Sequence, residues 1–127
     1  MTQTTREKMI GLLNGVYSQM LHLIRQAVPN VSMEVRDSRN ENFPFRSYAQ
    51  FSHEARVIVI SVDVKVRDGK LLLSGDIARE DGFVLKDIVE ISVADDSEGE
   101  VKLVSQLNNI VSSCYDNARL IQGELVS

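Results

Sequence analysis

The sequence predicts an α+β fold: a two-layer sandwich in which an antiparallel meander of four or five strands carries a long N-terminal and a long C-terminal helix on one face. Three observations predict it. Apolar residues recur at helical spacing near both ends of the chain. Through the middle they alternate with polar ones, as in strands with one buried face. Asp68-Gly69 and Glu80-Asp81-Gly82 punctuate that middle stretch where strands would reverse. With 127 residues, 43% hydrophobic and 25% charged, the composition is that of an ordinary globular protein and is expected to form one domain over residues 1–127.

Residues 4–28 are expected to be helical, with Met9, Leu13, Val16, Met20, Ile24 and Ala27 forming a stripe that Leu12, Tyr17 and Leu23 widen. Thr4 and Glu7 have the spacing of a capping box, and Pro29 stops the other end. Gly11, Gly15, Ser18 and His22 occupy the opposite side, where two interior glycines lower helix stability by about 1 kcal/mol each. Either that side is a solvated face or something approaches the backbone there.

Strands are expected near 31–36, 43–52, 55–67, 70–79 and 83–93. Asp68-Gly69 suits a two-residue turn with positive φ at both positions. It sets Val66, Val64, Val62 and Ile60 opposite Leu71, Leu73, Gly75 and Ile77 on the core face. For the next reversal, a two-residue loop would bury Lys86 opposite Ile77. A three-residue loop ending on Gly82 pairs Ile77 with Leu85 and Leu73 with Val89, and it is the expected form. A turn at His53-Glu54 would then complete a core-facing row of Phe45, Val62, Gly75 and Asp87.

Residues 101–122 form the second expected helix, through Val104, Leu107, Val111, Cys114, Ala118 and Ile121. Ser97 and Glu100 repeat the capping spacing, with Asp95, Asp96 and Glu98 near the positive end of the helix dipole. That acidic cluster lacks the ligand order of a calcium loop.

The charge pattern excludes more than it identifies. A net charge of −4 with scattered basic residues gives no footprint for phosphate backbones, so nucleic acid is not an expected partner. Only Lys65, Arg67 and Lys70, near one hairpin tip, would serve such a role. No apolar run reaches the roughly 20 residues of a membrane span. The start of the chain does not resemble a signal peptide, and one cysteine permits no internal disulfide, which agrees with a reducing compartment. A cytoplasmic location is expected.

Enzyme motifs, metal-ligand spacing and cofactor loops are absent from the sequence. His22 and His53 are isolated, and Cys114 lies on an apolar helical stripe. The single chemical candidate is Asp87 beside the small Gly75. An inward carboxylate in an apolar niche would have a raised pKa, suiting a ligand pocket or a catalytic acid. The plainer alternative places Asp87 near a sheet edge, hydrogen-bonded to a helix side chain such as an asparagine, or turned outward by a bulge. The outer sheet face offers a second candidate: Tyr48, Val57, Val59, Ala78 and Val84, rimmed by Arg46 and Lys86, would form a half-apolar patch for a protein partner or a second copy. The expected function is therefore a small protein–protein interaction module of adaptor, immunity or chaperone type, homodimeric and without catalysis. The rival is a small-ligand protein or enzyme using Gly75 and Asp87.

Overall fold

The first helix begins two residues before the expected capping box, because a different side chain caps it. In the computed structural model, which describes all 127 residues, Thr2 accepts a hydrogen bond from the Thr5 backbone N–H and starts α1 (Gln3–Arg25). The helix stops before Ala27, which is exposed, while Val28 and Val31 turn back into the core. Met9, Leu13, Val16, Tyr17, Met20 and Ile24 are buried, and Gly11 and Gly15 face open space.

Five strands follow: β1 (Ser32–Ser38), β2 (Phe45–His53), β3 (Arg56–Arg67), β4 (Lys70–Arg79) and β5 (Val84–Ala94), each antiparallel to the next in the order β1-β2-β3-β4-β5. The sheet is open, with β1 and β5 as its edges. Asp68 and Gly69 take φ of 51° and 72°, and the β3–β4 register is the expected one, with Val64 opposite Leu73 and Val62 opposite Gly75.

Two registers differ from expectation. The β2–β3 turn is Glu54-Ala55 rather than His53-Glu54, so His53 pairs with Arg56 and the rows slide by two residues. Two residues is one full period of a strand, so every side chain keeps its face. Ser47, not Phe45, therefore stands opposite Val62. On the other side, β5 takes neither simple register. Ala78 pairs with Val84, Ile77 with Lys86, Asp76 with Asp87, Gly75 with Val89 and Leu73 with Ile91, with irregularities between Gly75 and Asp76 and between Ile77 and Ala78. The bulges insert residues into β5, so its apolar positions still face the core from Val89 onward.

After β5 the chain forms α2 (Ser97–Ser112) and α3 (Cys114–Val126) in place of one continuous helix. Asp96 caps α2 through the Gly99 N–H, in place of the expected Ser97. The break at Ser113 has a local cause. Ser112 and Ser113 donate their hydroxyls to the Asn109 carbonyl, a back-bonding that bends helices. The buried stripe runs through Leu103, Leu107 and Ile110 on α2, then Cys114, Ala118, Ile121 and Leu125 on α3, and Val111 is 43% exposed.

All three helices lie on one side of the sheet. α1 packs on β1 and β2, α2 on β5, and α3 on β2 and β3. Beneath them, Phe45, Ala49, Phe51, Ile60, Val62, Val64, Leu71, Leu73 and Ile77 lose essentially all contact with solvent. This is a two-layer α+β sandwich with a five-stranded meander.

Candidate functional site

Because all the helices take one side of the sheet, alternate residues of β2, β3 and β4 project from a face that no element covers. Gln50, Val59, Ala78 and Val84 align across four strands, with Tyr48 of β2 diagonal to Val59 and Val57 two residues before it on β3. Tyr48, Val57, Val59 and Ala78 are half-buried, Val84 is 45% exposed, and Phe83, just before β5, is 58% exposed. A shallow groove of about 520 Å³ crosses this face, lined by Arg46, Tyr48, Gln50, Val59, Ser61 and Asp63, with Ser38 and Glu80 at its rim.

Charge organises one side of the groove. Arg46 donates from Nε to Asp63 Oδ1 at 3.1 Å, and its guanidinium lies 4.4 Å from the centre of the Phe43 ring. Partial burial pushes the Asp63 carboxyl above its usual range. The Arg46 guanidinium opposes that shift and the nearby Asp76 carboxylate adds to it. Ser61 donates to Asp76 at 3.4 Å.

The remaining expected rim residue lies elsewhere. Lys86 extends toward the helix layer and donates from Nζ to Asn117 Oδ1 at 2.7 Å, so it is not on the outer face. Asn117, fully buried on α3, donates in turn to Ser113 Oγ at 3.2 Å. Only the Ile77–Lys86 pair coincides with what a two-residue loop would give; Lys86 remains an exposed residue on the helix side, and Asn117 gives its ammonium a partner there.

Asp87 moves the other way. It pairs with Asp76 and is exposed, so the expected row of Gly75 and Asp87 does not form. The bulge turns it outward, as the plainer alternative supposed, while the asparagine contact goes to Lys86. No niche remains beside Gly75, since a Cβ there would lie 3.0 Å from the Ser61 carbonyl oxygen and 3.1 Å from Cγ1 of both Ile88 and Val89. Glycine is needed because side chains on both sides of the bulge crowd this position.

The other titratable candidates stay apart from the outer face. His53 lies 3.8 Å from Glu54 in the β2–β3 turn and His22 is exposed on α1. Burial pushes the Cys114 thiol up, and its Sγ lies 3.7 Å from the Val16 carbonyl. No three His, Cys, Asp or Glu side chains are grouped to hold a metal ion, and Asp96 is engaged as a cap. No helix is long and apolar enough to cross a membrane.

Sequence reasoning missed three features. Phe83, the first residue of an expected strand, lies just before β5 and is exposed, as its position directly after the Gly82 turn could have signalled. The buried hydrogen bond of 3.1 Å between Tyr17 Oη and Ser47 Oγ had no signal, because the partners are 30 positions apart. Glu100 accepts from both the backbone N–H and the hydroxyl of Thr2, at 2.8 and 3.0 Å, and so joins the starts of α1 and α2.

Fold and site together define a class: an α+β sandwich with one helix-covered sheet face and one open, half-apolar face. The chain matches no protein family, no curated protein and no solved structure with which it was compared.

Proposed function

We propose that this chain is a small cytoplasmic protein–protein interaction module of the adaptor, immunity or chaperone kind, homodimeric and non-catalytic, which presents the outer face of its sheet to a protein partner. The observation that carries the reading is the band of Tyr48, Val59, Ala78 and Val84, contiguous across β2 to β5 on a face without helices. A charged and polar rim around a partly apolar centre is the usual arrangement of a protein-binding surface. Arg46, held by Asp63 and Phe43, is a pre-ordered side chain of the type enriched where interfaces bind most strongly.

The test uses Val59→Asp. Val59 lies at the centre of the band and outside the core, so the variant is expected to keep the wild-type circular dichroism. Tagged wild type and variant are used in parallel to capture proteins from the native host. A protein retained by wild type and lost by Val59→Asp, then reproduced with purified components, supports the outer face as the contact. Equal retention by both removes it.

A further inference from the structure

The two edges of the sheet differ in a way that assigns one of them an occupant. Edge strands expose unpaired N–H and C=O groups, and proteins guard them with charge, bulges or covering elements. β1 is guarded by Glu34, Arg36 and Asp37 within seven residues, nearly all of them exposed. The first half of β5 is guarded too, by its bulges and by Lys86 and Asp87. From Val89 to Ala94 the ladder to β4 is regular, and the only charge is Glu90. No hydrogen bond ends on the outward backbone groups of this segment.

Its core-facing row is also incomplete. Leu71 and Leu73 of β4 are fully buried, whereas Val89, Ile91 and Val93 beside them on β5 are only half-buried. α2 packs over β5 but leaves this row of three β-branched side chains partly uncovered. We propose that residues 89–93 of β5 pair antiparallel with the same segment of a second copy, giving a continuous ten-stranded sheet. This rests on the homodimeric part of the reading above and leaves the outer face free for the partner.

Charge selects both the occupant and the register. To keep both helix layers on one side, each residue must pair with one of the same facing. Centring on Glu90 would set two carboxylates directly opposite, which is destabilising. Centring on Ile91 sets Ile91 against Ile91 and Val89 against Val93 on the core side. It sets Glu90 against Ser92 twice on the outer side. The segment thus complements itself about a two-fold axis, as a symmetric dimer requires.

Ser92 is exposed, so changes there test the pairing without touching the core. Light scattering during size-exclusion chromatography should give wild type twice the 14.2 kDa of one chain. Ser92→Glu places like charges opposite each other at two symmetric positions and should raise the dimer Kd about tenfold, whereas Ser92→Lys should lower it by a similar factor. Val59→Asp should stay dimeric. A dimer indifferent to both Ser92 variants overturns the edge pairing alone, and one split by Val59→Asp does so while moving the seam to the outer face. A wild type monomeric at every concentration overturns both the pairing and the homodimer.

Discussion

Tyr17 and Ser47 show how a single polar contact inside the core is stabilised. Burial pushes the Tyr17 hydroxyl up from 10.0 to about 12, with the Ser47 hydrogen bond pulling the other way. A pKa raised by folding means the unfolded chain releases its proton first as pH rises. The contribution is intact below pH 10 and is lost progressively toward 12, at about 1.4 kcal/mol per pH unit. Tyr17→Phe should remove this alkaline loss, read as urea-unfolding midpoints from pH 9 to 11. At neutral pH it should destabilise by about 1 kcal/mol by stranding Ser47, and Ser47→Ala in addition should recover part of that. Gly99 is the most closely approached of the glycines: a Cβ would fall 1.7 Å from the Ala94 carbonyl oxygen, so the start of α2 touches the end of β5. Gly99→Ala should destabilise by about 3 kcal/mol, an overpacking penalty against backbone that cannot rotate away. Gly75→Ala should lose about 2 kcal/mol, since the half-buried Ile88 and Val89 can shift but the Ser61 backbone carbonyl 3.0 Å away cannot. An unchanged unfolding midpoint in either variant would contradict these contacts.

Between elements, the chain is tied together by groups far apart in sequence. Burial alone would raise the Glu100 pKa, but the Thr2 backbone N–H, assisted by the Thr5 and Thr2 hydroxyls, lowers it below its ordinary value of 4.5. A folded pKa below the unfolded one gives stability that is present above pH 4.5 and lost as pH falls through the folded pKa. Glu100→Gln should therefore lose about 1 kcal/mol at pH 7 and progressively less as pH is taken down below 4.5, measured by denaturant unfolding at pH 7 and at pH 3. An equal loss at both pH values would show that the charge is not what joins α1 to α2. The α2–α3 break and the β5 bulges are the two places where periodicity misjudged an element. Spacing registers which residues are apolar, but not a serine hydroxyl competing for a helix carbonyl, nor an extra strand residue accommodated by a buried asparagine. The β3–β4 hairpin was legible for the opposite reason: Asp68-Gly69 specifies turn, register and facing within two residues.

For the molecule as a whole, burial falls from the middle of the sheet to its edges. β3 and β4 are flanked on both sides and buried along their core-facing rows from Ile58 to Val64 and from Leu71 to Ile77, with the expected core residue Val66 42% exposed beyond the helices, while β1 is exposed along nearly its whole length. Amide hydrogen exchange should therefore be slowest in β3 and β4 and fastest in β1; protection of β1 equal to that of β3 would contradict this ordering. The sequence by itself determined the layers, the strand order and the faces taken by the residues of β2, β3 and β4, because period and turn chemistry are local and a slip of two residues leaves facing intact. Of the outer patch, Tyr48, Val57, Val59, Ala78 and Val84 were legible for that reason, and Arg46 with them. Tertiary structure alone decided the fates of Lys86, Asp87 and Gly75, since whether a charge is tolerated on the helix side depends on a partner such as Asn117, 31 positions away. Such partnerships are set by packing across the whole core, which no local pattern encodes.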